Sequence, residues 1–294
     1  MSAAQEASPA FSDFLELTKP RLSLMSVLTA LIGYAAVRET HPIARLACVT
    51  IATVLAAGGV STLNQWIERD TDARMVRTAD RPIPAGRIPT GSAFVLGSLM
   101  CTASLMLCYA GVNSLAALFT LLTIIAYLAF YTPAKRWSRW STEIGAIAGA
   151  TPPLIGWAAA EGRVSALGWI LFGIMFFWQI PHFMAISWMY RRDYAAVNFP
   201  MQSIRDETGR WAAGWSVVNT LVLVALSLLP VALGFDSPWY GATALAAGVW
   251  FLWRAVGFLR PVGREPAARR LFLASIAYLP LVLGALVLDR IIFH

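Results

Sequence analysis

The sequence predicts an all-α, polytopic membrane protein with nine transmembrane helices, its N-terminus cytoplasmic and its C-terminus outside. Three observations predict it. Of the 294 residues, 58% are hydrophobic and only 13% are charged, about half the charged share of a soluble domain. The apolar residues gather into nine runs close to the ~20 residues that a bilayer-crossing helix needs. The basic residues fall in alternate connections. Arg38, Arg45, Arg163 and Arg290 lie on one side, and the other 19 of the 23 Lys and Arg lie on the opposite side. That asymmetry is the positive-inside pattern. It accounts for the net charge of +7 and leaves no call for a nucleic-acid partner.

Residues 1–20 read as a polar tail and an interfacial helix, with Phe11, Phe14, Leu15 and Thr18 at helical spacing between Asp13, Glu16 and Lys19. Residues 21–294 form a single membrane domain. Its spans cover roughly 21–38, 44–66, 92–111, 113–132, 143–161, 165–189, 211–234, 239–259 and 271–291. No basic region leads into a short apolar core at the N-terminus, so neither a cleaved signal nor a transit segment is expected. A bacterial inner membrane is the expected location. Cys48, Cys101 and Cys108 sit inside apolar runs and read as small packing hydrophobes. The longest connections, 67–91 and 190–210, both face the cytoplasm and leave spans two and six, a weak hint of an internal repeat.

The chemistry gathers on those connections. Asn64, Glu68 and Asp72 are four residues apart at the end of span two. Such residues lie near one helix face, drifting about 40° per step. Hard oxygens on one face suit Mg²⁺, which usually bridges a few carboxylates to substrate phosphates. Asp70 points off that face and either pairs with Arg74 or reaches the metal through a local unwinding. Arg77, Arg81 and Arg87 follow, and the proline-rich 82–86 run breaks the helix into a loop able to fold back over the site. Tyr131, Lys135 and Arg136 close span four at the same level and suit a diphosphate. His182 follows Pro181 inside span six, as a ligand or a buried hydrogen-bonding group. Asp193 offers a second metal contact, with Asp206 and Glu207 further along the loop. A membrane enzyme handling a diphosphate is therefore expected. An ion-coupled transporter is the alternative of another class, but it needs acids near the bilayer midplane, and these sit at cytoplasmic helix ends.

These residues resemble the UbiA-type intramembrane prenyltransferases. The match runs through Thr18-Lys19-Pro20-Arg21, the Asn64–Asp72 motif with Arg77-Thr78, Arg81-Pro82 and Gly86-Arg87, and Tyr131-Thr132-Pro133 with Lys135-Arg136. It continues through Gly149, Pro152-Pro153, Gly156-Trp157, Pro181-His182-Phe183, Asp193-Tyr194 and Phe199-Pro200-Met201. The resemblance implies nine helices around a central cavity and Mg²⁺-dependent transfer of an isoprenoid from its diphosphate. The His182 and Asp193–Met201 segments resemble the haem-modifying branch, which implies farnesyl diphosphate and haem B as substrates and haem O as product. Haem A synthase or oxidase assembly factors are the implied neighbours in the lipid. An aromatic prenyltransferase of quinone biosynthesis would share the diphosphate site and differ in the acceptor pocket. Three positions depart from the pattern: Glu68 replaces an aspartate, Arg192-Asp193 replaces an acidic pair, and Gln202-Ser203 replaces Leu-Pro.

Overall fold

The computed structural model describes residues 10–38, 42–196, 199–200 and 205–293. The polar tail 1–9, and Met201, Gln202 and Ser203, lie outside the described residues. Among the described residues every regular element is helical. A short helix α1 (Phe11–Leu17) leads into α2 (Pro20–Ala35), α3 (Ile43–Asp72) and α4 (Thr90–Gly111). Next, α5 (Ser114–Ile125) passes through a π-helical turn at Ala126–Tyr131 into α6 (Thr132–Trp137). Two ten-residue helices follow, α7 (Ser141–Ala150) and α8 (Pro152–Glu161), then α9 (Ala166–Met189) and the short α10 (Arg191–Ala196). The chain ends in α11 (Arg210–Ala232), α12 (Pro238–Phe258) and α13 (Arg264–Ile292).

Among the described residues, seven helices are long and apolar enough to cross a membrane: α3, α4, the α5–α6 rod, α9, α11, α12 and α13. The two remaining expected spans are shorter or broken. The first is the 16-residue α2. The 143–161 run divides at Thr151, where the chain enters Pro152-Pro153 and proline removes backbone donors. The Thr151 hydroxyl donates to the Ala148 carbonyl at 2.7 Å and accepts from Thr123 at 2.6 Å, so side chains satisfy part of the broken backbone, as a bilayer requires.

Boundaries also shift. Span two continues as regular helix to Asp72, which keeps its three oxygen-bearing residues on one rod. The last helix begins at Arg264 rather than near 271, because Gly263 at φ 72° starts a new turn there.

Large apolar side chains such as Leu99, Met106 and Val249 point outward, at 63, 68 and 58% exposure, as lipid-facing surfaces do. Inside, Leu171, Ile174, Phe251 and Tyr278 hold α9, α12 and α13 in one cluster. The α2–α8 seam works differently. A Cβ on Gly156 would stand 1.7 Å from the Ala30 carbonyl oxygen, and one on Gly33 2.1 Å from that of Pro153. Small residues let the two backbones touch, the usual way to join helices in lipid. Gly156→Ala is expected to destabilise the protein by about 1–3 kcal/mol, read as a lower melting temperature in detergent; an unchanged melt would refute this packing.

The Lys135–Glu68 and Arg191–Glu265 pairs join α6 to α3 and α10 to the start of α13 at one end. At the other end Arg290 donates to the Ala36 and Phe235 carbonyls and meets Asp236 at 3.4 Å.

Candidate active site

The last two turns of α3 carry Asn64, Glu68 and Asp72 into the protein, at 1, 6 and 0% exposure. Each has a basic or hydroxyl partner from another segment. Lys135 Nζ lies 2.8 and 3.1 Å from the two Glu68 carboxylate oxygens. Arg81 Nη1 donates to Asp72 Oδ2 at 2.6 Å, so the proline-rich loop does fold back over the helix end. Thr78 reinforces that turn by donating to the Asp72 carbonyl at 2.9 Å. Asn64 Nδ2 donates to Thr132 Oγ1 at 3.0 Å, and Thr132 in turn donates five residues back to the Tyr127 carbonyl at 2.9 Å. The Thr132 N–H bonds that same carbonyl, which makes this a π-helical turn, a local irregularity frequent at functional sites. It sets Tyr131 beneath Lys135, whose ammonium sits 4.5 Å from the ring centre.

Lys19, part of the Thr18–Arg21 stretch leading into α2, also reaches the site. It stands at φ 46°, the one described non-glycine residue with positive φ. Its Nζ reaches Asn64 Oδ1 at 3.5 Å. A residue before proline is already restricted, and left-handed backbone adds strain of the kind stored at functional sites. Burial, with Arg81 and Lys135 close by, pushes the Lys19 ammonium down to about 7.

The second loop joins the first through Met75, which packs against Phe199 and Tyr194. Arg77 lies over the Tyr190 and Tyr194 rings at 5.5 and 5.8 Å. Burial pushes the Tyr194 phenol up, and Arg77 opposes it. Asp193, on α10, is half-buried.

Other expected residues are directed elsewhere. Asp70 is 76% exposed on the outer face of α3 and meets Arg69 at 3.7 Å, not Arg74; Arg74 reaches only the Asp70 carbonyl. Arg136 donates to the Ile67 carbonyl at 3.0 Å. Arg87 pairs with Asp13 and Glu16 and donates to the Asp80 carbonyl, so it fastens α1 to the loop. His182 lies about two turns before the end of α9, roughly 10 Å deeper. Its Nδ1 is 2.7 Å from Ser275 Oγ, and that hydroxyl donates to the Phe272 carbonyl at 2.6 Å. Ser275 must then accept from Nδ1–H, which leaves the His182 Nε2 lone pair open. Trp178 stacks on the imidazole at 5.0 Å.

Among the described residues no three His, Cys, Asp or Glu side chains converge as a closed metal site. The donor set still fits Mg²⁺. Glu68, Asp72 and Asn64 are hard oxygen ligands, and Mg²⁺ commonly takes one or two carboxylates and completes its shell with substrate phosphate. Asp72 Oδ1 is buried without a hydrogen-bond partner, an arrangement that costs free energy unless a cation or donor faces it.

Residues 26–276 match the model of the UbiA prenyltransferase family. The chain belongs to that family. It is an integral membrane protein, as the family and the seven long apolar helices among the described residues indicate. It is 63% identical over 291 residues to a protoheme IX farnesyltransferase of Opitutus terrae, with 99% of each chain covered. Two solved structures share the family's fold. One, of digeranylgeranylglyceryl phosphate synthase, has TM-score 0.81 at 16% identity, covering 95% of this chain and 98% of that one. The other, a UbiA homolog from Archaeoglobus fulgidus bound to GPP and Mg²⁺, has TM-score 0.71 at 13% identity, covering 93% and 99%.

Proposed function

We propose that this protein transfers a farnesyl group from farnesyl diphosphate to a vinyl group of haem B, with addition of water, giving haem O and diphosphate. The observation that carries this is the 63% identity, end to end, to a protoheme IX farnesyltransferase. The reaction sits on the cytoplasmic side of a bacterial inner membrane. In this reading α2 and the α7–α8 pair complete nine spans around a central cavity, with the N-terminus inside and the C-terminus outside.

The site residues divide the work. Asn64, Glu68 and Asp72, together with Asp193 of the second loop, would hold Mg²⁺. The metal supplies positive charge to the diphosphate, which makes it a better leaving group. Lys135, Arg81 and Arg77 are placed to stabilise negative charge as the carbon–oxygen bond breaks, and Arg136 stands behind them at the helix end. Tyr131 orients Lys135. The allylic cation forms where bulk water is kept out. The haem vinyl attacks it, and one water quenches the resulting cation and releases a proton. His182, with Nδ1 committed to Ser275, presents Nε2 to the haem as an iron ligand or as the group that places that water.

Membranes carrying the protein should convert haem B to a pigment heavier by one farnesyl and one water when given farnesyl diphosphate and Mg²⁺. Chelator should abolish the product. Unchanged haem, with a prenylated product appearing from 4-hydroxybenzoate instead, would overturn the acceptor assignment and favour an aromatic prenyltransferase.

A further inference from the structure

A second site lies on the α12–α13 seam, outside the chemistry described so far. At the end shared with Glu68 and Asp72, a cavity of about 260 Å³ opens between the last turns of α12 and the first turns of α13. Arg254, Arg260 and Arg270 line it, and no carboxylate does. Among the described residues none of the three pairs with an acid; Glu265, the acid nearest in sequence, turns instead to Arg191 at 3.6 Å. Three unneutralised guanidiniums around one cavity suit a phosphate. Gly257 faces the same space, since a Cβ built there meets nothing within 4 Å.

A separate apolar groove lies farther along the same seam, lined by Trp239, Thr243, Ala246, Trp250 and, from α13, Leu281. Positions 239, 243, 246, 250, 253 and 257 follow alternating steps of four and three, which puts them on one face of α12. Arg254 lies 4.2 Å over the Trp253 ring. Trp253 and Val256 are 61 and 47% exposed, as side chains at a lipid interface are. From Gly257 to Ala246 the helix rises about 16 Å, close to the depth of one leaflet.

We propose that this seam binds an anionic glycerophospholipid, with its phosphate among Arg254, Arg260 and Arg270 and an acyl chain along the groove. The occupant is a lipid rather than a soluble phosphate because exposed apolar side chains, Trp253 and Val256, flank the arginines and an apolar groove lies along the same face of α12. It is not a second prenyl diphosphate site, because it lacks the carboxylates that would share a divalent metal with a diphosphate.

The test uses the full chain in nanodiscs of equal parts phosphatidylcholine and phosphatidylglycerol, then native mass spectrometry of the lipids that stay bound. Phosphatidylglycerol should be enriched over phosphatidylcholine by about tenfold. The triple variant R254Q/R260Q/R270Q should lose the enrichment. Because removing three basic residues can disturb insertion, Gly257→Trp serves as a second variant. It fills the cavity, keeps every charge, and should also lose the enrichment with an unchanged melt in phosphatidylcholine alone. Enrichment that survives in a folded Gly257→Trp protein overturns the site. Displacement of phosphatidylglycerol by inorganic diphosphate or farnesyl diphosphate overturns the lipid assignment in favour of a soluble or prenyl phosphate.

Discussion

Asp72→Asn is expected to lower turnover by about 10³-fold while the protein still inserts and folds. Asp72 is fully buried, with one oxygen held by Arg81 and the other unpartnered. Asparagine keeps the shape and a hydrogen bond to Arg81, and the Thr78 contact to the main-chain carbonyl is untouched. What it removes is the negative charge that, in the proposed mechanism, would bind Mg²⁺. The comparison is Asp70→Asn, two residues away on the same helix but 76% exposed, which should change the rate by less than about twofold. Rates in membranes with matched protein amounts decide the matter. Equal rates for the two variants would sink the assignment of the buried face as the metal face.

Lys135→Met should have the second-largest effect, and it carries its own internal control. Lys135 and Glu68 are mostly buried, at 17 and 7% side-chain exposure. Removing one partner of a buried pair leaves an uncompensated charge, typically at a cost of about 3–5 kcal/mol. In chelator the variant should melt well below the wild type. In Mg²⁺ the loss should shrink, because the Glu68 carboxylate freed of Lys135 binds the cation more tightly, and tighter binding to the folded state stabilises it more. Turnover should fall by about 10²-fold even in saturating Mg²⁺, since the leaving group has lost a cation. A melting loss identical with and without Mg²⁺ would mean that Glu68 never faces the metal and that the pair only braces α3 against α6.

Much of this site was legible because it follows a period. Asn64, Glu68 and Asp72 recur at four residues on an unbroken helix, and such spacing places side chains whatever the neighbours do. The positive-inside pattern likewise gave the helix ends a common side before any packing was known. Lys19 was hidden for the opposite reason. Its place depends on one left-handed backbone turn before Pro20, which no periodicity announces. Ser275 could not be linked to His182, because the link is a tertiary contact across more than ninety residues. The direction of Arg136 was equally out of reach: a basic residue at a helix end serves a phosphate or a bare carbonyl equally well, and Ile67 offered the carbonyl. The break at Thr151 was readable as a proline pair, but that it divides the helix outright depends on Thr123 and Ala148 standing close by. Glu68, which departs from the aspartate of the resembled motif, accepts hydrogen bonds from Lys135 at both carboxylate oxygens.

The π-helical turn at Ala126–Tyr131 works as a reading-frame shift in the fourth rod. It spends one residue beyond the ordinary winding, and everything after it inherits the offset. Trimming that residue would restore a smooth helix with almost the same hydropathy, yet would swing the following side chains by about 100°. Thr132 would turn from Asn64, and Lys135 from Glu68. The rod's outward-facing half and the half that meets Asn64 and Glu68 are thus phased independently, and the six residues between them are the gear that sets one against the other.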